Sequence, residues 1–259
     1  MITRRIFALT AMIGLSSIGG CTAQGQSDVS NRVGEVFRDP GSRNLASAAA
    51  RGDTREIERL VQAGTPIDAK GDGGATPLWW AMRNRNYGGV AYLLAHGANP
   101  DPDVEYITVP EMAATYEDSR FLETLLRYKF DVNRIGSKRE RRPIDVAVDT
   151  NGNRNLELLI KAGANLGLGQ KIGSPPLISA AHLNYYEKVY ILLLGGADPT
   201  LKFGASTLSG AIAFPIDPDS DAYVWRERVI RYLKSKGIEA SKPSGEGKRT
   251  KPLPPDLGQ

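Results

Sequence analysis

The apolar positions of this chain recur on a fixed period. The stretch from Gly74 to Asn99 opens Gly74-Ala75-Thr76-Pro77-Leu78-Trp79-Trp80-Ala81 and closes Leu93-Leu94-Ala95-His96-Gly97-Ala98-Asn99. Pro77 returns at Pro110, Pro143 and Pro176, each 33 residues on. Ala48, Ala81, Ala114, Ala147 and Ala180 hold the same phase, and Ala211 follows after 31 residues. Gly64, Gly97, Gly163 and Gly196 each fall 16 residues behind an alanine. The spacing predicts two short helices per unit. Thr76 can cap the first, and Pro77 suits its opening position, where a missing N–H costs nothing. Leu78 and Ala81 share one face at i, i+3. Leu93-Leu94 ends the second helix, and Gly97 stops it by accepting a positive φ. One unit cannot bury its apolar face alone, so neighbours must stack into a quasi-linear core.

The pattern resembles the ankyrin repeat. The first-helix motifs that carry the likeness are Gly74 to Ala81, Arg142-Pro143-Ile144-Asp145-Val146-Ala147 and Ser174-Pro175-Pro176-Leu177-Ile178-Ser179-Ala180. Lys161-Ala162-Gly163-Ala164-Asn165 and Leu194-Gly195-Gly196-Ala197-Asp198 match the second-helix ends. The resemblance implies an all-α, ankyrin-repeat solenoid of about six helix-turn-helix repeats with short hairpin-like turns, over residues 42–238. The first repeat is expected near Ser42, with Leu45 and Ala48 in phase and Ile57, Leu60 and Val61 on the second helix. It has no Thr-Pro opening, as suits a terminal cap. The third unit departs at Val109-Pro110-Glu111-Met112 and carries Lys129 where glycine is expected. The sixth has Ser206-Thr207-Leu208, an insertion at Phe214-Pro215-Ile216-Asp217-Pro218, and a helix expected from about Asp221 to Ser235.

Residues 1–20 read as an export signal. Arg4 and Arg5 give the positive end, and Ile6 to Ile18 is apolar but short for a membrane span, which needs about 20 residues. Ile18-Gly19-Gly20-Cys21 resembles a bacterial lipoprotein box. That likeness implies acylation of Cys21, and Thr22 after it favours the outer membrane of the envelope. Thr3-Arg4-Arg5-Ile6-Phe7 also resembles a twin-arginine export motif. Residues 21–41 are expected to be a tether, and 239–259 a disordered tail rich in Pro, Gly, Lys and Ser.

Charge narrows the partners. The formal net charge is +4, and loss of Arg4 and Arg5 leaves +2. Nucleic-acid binders carry a stronger basic patch, so no nucleic acid is expected. Cys21 is the only cysteine, so neither disulfides nor thiolate metal sites are available. Neither His96 nor His182 has a catalytic or metal-binding neighbour in sequence. Gly71, Gly73 and Gly74 lack the Lys-Ser/Thr of a phosphate loop. Asp217, Asp219 and Asp221 lack the glycine and distal glutamate of a calcium loop, so a solvated turn is the simpler reading. No catalytic constellation, cofactor or metal is expected.

What remains is a binding surface. The resemblance implies that partners meet first helices and turn tips. The position before each phased alanine is then expected to be exposed: Ser47, Trp80, Ala113, Val146, Ser179 and Gly210. Two residues after the alanines come Arg83, Tyr116, Asp149 and His182. Trp80, Arg83 and Tyr116 are of hot-spot types. The alternative is that Trp80 packs into a repeat junction. Asp101, Asp103 and Glu105, with Tyr106, make one turn tip acidic. Arg134, Lys138, Arg139, Arg141 and Arg142 make the next basic. Opposite tips suit steering of a partner, or they neutralise each other as solvated loops.

The likeness to exported bacterial ankyrin proteins implies a non-enzymatic protein-binding role at the cell envelope. Some such proteins are immunity proteins that block a toxin, for example a phospholipase delivered by type VI secretion. The competing expectation is a periplasmic scaffold for an envelope enzyme or stress response.

Overall fold

The computed structural model describes residues 32–105, 107–136, 140–167, 174–241, 245 and 247–254. Helix α1 covers 32–36. Six helix pairs follow. The first helices are α2 (Pro40–Arg51), α4 (Pro77–Arg83), α6 (Val109–Thr115), α8 (Pro143–Asp149), α10 (Pro176–His182) and α12 (Leu208–Ile212). The second helices are α3 (Thr54–Gln62), α5 (Tyr87–Ala95), α7 (Arg120–Leu125), α9 (Arg154–Lys161), α11 (Tyr186–Leu194) and α13 (Asp221–Ser235). First helices stack on first helices in chain order, and second on second, so the core runs between two layers. The protein is an all-α solenoid of six repeats. A short antiparallel hairpin, β1 (Lys202–Phe203) and β2 (Ser206–Thr207), leads into repeat six, with Lys202 opposite Thr207.

Local chemistry sets the helix ends. Thr76 Oγ1 accepts from Trp79 N at 3.2 Å, directly before Pro77. Thr108 and Glu111 form a reciprocal capping box, which starts α6 one residue ahead of the repeat phase. Ala48, Ala81, Ala114, Ala147 and Ala180 are fully buried, as a residue without a long side chain must be where helices meet closely. Gly64, Gly97, Gly163 and Gly196 have φ between 87 and 95°. Lys129 holds that place in repeat three without a positive φ, because its Cβ disfavours one. Helix α7 there is only six residues long.

Both ends of the domain differ from expectation. The tether does not run free to residue 41. Val33 and Phe37 are buried in the core, and Arg43 Nε donates to Phe37 O at 3.0 Å. These apolar side chains join the same core as repeat one. Repeat one also has an opening of its own: Asp39 caps Pro40, accepting from Ser42 N at 2.8 Å. The tail is anchored rather than free where it is described. Thr250 N and Lys251 N donate to Asp219 Oδ1 at 2.9 and 3.0 Å, and Arg249 donates to Pro218 O. Led by the Thr250 hydroxyl, these donors hold the Asp219 carboxyl down to about 2. The expected signal segment 1–20 and Cys21 lie outside the described residues.

Candidate functional site

The junction of repeats two and three gathers aromatic rings under two guanidinium groups. Trp79 Nε1 donates to Ile107 O at 2.8 Å, which fixes its ring against the next repeat. Arg83, exposed at the end of α4, lies 5.6 Å from the Trp79 ring centre and 5.9 Å from that of Trp80. Tyr116, half-buried at the end of α6, donates its hydroxyl to Met82 O at 2.6 Å and meets Phe121 edge-on at 5.2 Å. Burial pushes its phenol above the ordinary range. Arg85 lies 4.9 Å from the Tyr116 ring centre. Its φ of 54° is uncommon for a side-chain-bearing residue, and this backbone presents the guanidinium to that ring. Arg83 and Arg85 face no carboxylate among the described residues.

The structure corrects part of the expected surface. Trp80 is 4% exposed and belongs to the repeat junction, with Phe37 edge-on at 6.0 Å and Trp79 at 6.2 Å. Phe37 arrives from the N-terminal segment, which the repeat phase does not describe. Ala113 and Val146 are buried as well, Ser47 and Ser179 are half-buried, and Gly210 is exposed. The position before each alanine is therefore mostly a packing position. Arg83 and Tyr116 come together; Asp149 and His182, both exposed, lie on the two following first helices. Asp149 is engaged by Arg141, which also donates to Asp145 O.

The opposite tips bind each other. Arg134 Nη1 lies 3.1 Å from Asp101 Oδ2, and Nη2 lies 2.9 Å from Asp103 Oδ1. Burial raises the Asp101 carboxyl, and Arg134 opposes the rise. Arg142, expected in the basic tip, is instead fully buried against Asp145 at 2.7 Å and Asn165 O at 2.8 Å. Glu105 has an exposed side chain, while its N–H donates to Gly73 O at 2.8 Å. Tyr106, Lys138 and Arg139 lie outside the described residues.

A second set of residues escaped sequence reasoning. Asn155 Nδ2 reaches the carbonyls of Ala113, Ala114 and Tyr116 at 2.7–3.2 Å. Lys188 Nζ reaches those of Ala147 and Val148 at 2.8 and 2.9 Å, and that of Thr150. Each side chain binds the last turn of the preceding repeat's first helix, where carbonyls lack helical partners. Burial pushes the Lys188 ammonium down to about 8, with Asp149 and Glu187 opposing. The signal was available: Gly89, Leu122, Asn155 and Lys188 are 33 residues apart, one column whose chemistry changes from repeat to repeat.

Residues 73–103 match the family model described as Ankyrin repeat. Protein PhlB of Serratia liquefaciens is 28% identical over 182 residues, spanning 70% of this chain and 79% of that protein. The human transient receptor potential cation channel subfamily A member 1 is 28% identical over 158 residues, 60% of this chain but 14% of the channel. Among solved structures, the ankyrin repeat domain of Bcl-3 superposes with a TM-score of 0.63 at 23% identity, covering 76% of this chain and 86% of that one. The fold is thus an ankyrin-repeat solenoid. Such repeats are typically non-catalytic scaffolds for protein–protein interaction.

Proposed function

We propose that this ankyrin-repeat solenoid is a protein-binding module held at the bacterial cell envelope, where it binds and neutralises a toxin such as a secreted phospholipase effector. The observation that carries the binding site is the Arg83–Arg85 pair, two cations laid over Trp79, Trp80 and Tyr116 with no carboxylate partner among the described residues. Arginine over a rigid aromatic bed loses little side-chain entropy on binding and offers planar donors to carboxylates or carbonyls. A partner with an acidic rim fits this edge. The envelope assignment rests on the leader-like residues 1–20 and on Cys21 as the acylated anchor. An immunity role suits a stiff stacked scaffold tethered beside the membrane that the toxin attacks.

The test is an affinity capture from detergent-solubilised envelope using residues 21–259, in wild-type and Arg83→Glu/Arg85→Glu forms. One secreted toxin recovered in stoichiometric amount from wild type, and weakened about tenfold by the double variant, is the expected result, equal to ~1.4 kcal/mol. A resident periplasmic enzyme in its place would overturn the immunity role in favour of a scaffold. Equal capture by both forms would move the site elsewhere. Cys21→Ser should shift the chain from the membrane to the soluble fraction.

A further inference from the structure

Two stretches that fall outside the 33-residue period meet each other. Repeat six carries an insertion: residues 213–220 separate α12 from α13, where residues 84–86 suffice between α4 and α5. Past α13 the chain touches the start of α12, where Ser241 N donates to Ser209 Oγ at 2.9 Å. Residues 249–251 then dock on the insertion. The Asp219 carboxylate accepts from Thr250 N, Lys251 N and the Thr250 hydroxyl. Lys251 Nζ donates to Asp219 O at 3.2 Å, and Arg249 donates to Pro218 O. The Arg249 guanidinium also lies 5.3 Å from the ring centre of Tyr223, in the first turn of α13.

This attachment differs from the one at the N-terminal end. There Val33 and Phe37 are buried in the core, so their segment cannot leave without emptying it. In 247–254 no side chain is buried: Arg249, Leu253 and Pro254 are half-buried and the others exposed. Arg249 Nε has no acceptor among the described residues, so the fit is incomplete. The hold is polar and lies at the surface, where water replaces each bond that is lost. It can open while repeat six stays folded.

We propose that residues 247–254 are a displaceable strap, an internal occupant of a site for an extended basic segment, and that a protein partner docks by replacing it. The strap itself displays the recognition chemistry. A carboxylate takes two successive main-chain N–H groups and a hydroxyl, a carbonyl takes a guanidinium, and a phenol ring flanks that cation. A partner segment with arginine, then threonine or serine, then lysine supplies the same donors. Asp217 and Asp221, exposed on either side of Asp219, favour such a segment by charge. The insertion lies in the same row of inter-helix turns as Arg83 and Arg85, so release of the strap extends that edge to repeat six. A tethered strap holds its site at high effective concentration, and a partner segment anchored elsewhere on the edge competes on equal terms.

Displacement by a partner rests on the binding reading above; the strap does not. The probe is a peptide of residues 247–254, titrated into the chain from residue 21 to 259 carrying Thr250→Pro, which removes the N–H and hydroxyl donors at that position. The readout is the backbone amide resonances of Asp219 and Tyr223. A saturable shift is expected in this released chain, about tenfold weaker in wild type, where the strap competes, and about tenfold weaker when Asp219→Asn is added. No saturable shift in the released chain, equal affinity for wild type, or no loss with Asp219→Asn overturns the proposal. Trypsin supplies a second test. Cleavage after Arg249 should run about tenfold faster in Asp219→Asn than in wild type at unchanged helical circular dichroism, because proteolysis follows the open population. Equal rates overturn the strap. A captured partner should bind Thr250→Pro more tightly than wild type. Equal binding refutes displacement and leaves the outcome at Arg83 and Arg85 untouched.

Discussion

Two junctions in this solenoid stack the same kinds of helix and are held by different forces. Between repeats one and three the contact is aromatic: Phe37, Trp79, Trp80, Tyr116 and Phe121 meet ring to ring or along neighbouring chain segments. Between repeats three and five it is polar: Asn155 and Lys188 reach across to helix-end carbonyls, and Arg142 and Asp145 form a buried pair at 2.7 Å. Dispersion and apolar burial are non-directional, so the aromatic junction depends on filled volume. A buried amide or ammonium depends on every partner being present, because an unmet carbonyl has no water to turn to. A period of 33 residues thus repeats positions, while the chemistry at each position is chosen locally.

The largest expected effect is at the aromatic end. Trp80→Ala should cost about 3–5 kcal/mol of stability, because it empties a buried volume shared with Phe37 and Trp79. Denaturant titration measures it. A loss of partner binding with unchanged stability would instead return Trp80 to the surface role that the sequence proposes for it. Next comes Lys188→Met, which strands three carbonyls at the end of α8 and should cost about 2–3 kcal/mol. Asn155→Leu makes the same cut one repeat earlier. Its loss of about 1–2 kcal/mol should be the smaller, since it removes a neutral donor. If Asn155→Leu stabilises the protein, the polar tie is dispensable and the two junctions are not held differently.

The smallest effect sharpens the contrast by pH. Lys188 titrates near 8 in the folded chain against 10.5 when unfolded. Below pH 8 both states are protonated, and the fold carries the full cost of the buried charge. From about 8 to 10.5 the unfolded state binds more protons, so stability rises with pH. The difference in Tm between wild type and Lys188→Met should therefore move in favour of wild type from pH 7.5 to 9.5. The difference between wild type and Trp80→Ala should not change through this group. A flat response in the first comparison breaks the assignment of a buried ammonium.

Several features were legible from spacing. The phased alanines are buried, the phased glycines carry positive φ, and helix α13 covers Asp221–Ser235 as the apolar positions indicate. These are local consequences: caps, small residues and left-handed turns are decided within a few residues of chain. The aromatic–basic edge was half legible. Arg83 and Tyr116 come together, but Trp80 does not join them at the surface. Nothing within one repeat says that Phe37 folds back over it. The column of Asn155 was visible in the spacing, but its role was not, because its partners lie 39–42 residues earlier. The tip charges were legible as opposites, yet only the stacking distance makes Arg134 a tie to Asp101 and Asp103.

By itself, then, the sequence determined the repeat, its helices and its all-α architecture, since periodicity acts through short-range backbone preferences and the need to bury one face. Tertiary structure alone decided which aromatic is core, which charges cancel, and which carbonyls are met from the next repeat. Each of those depends on groups a full period apart being brought within hydrogen-bonding or van der Waals distance, and that proximity arises only when the repeats stack.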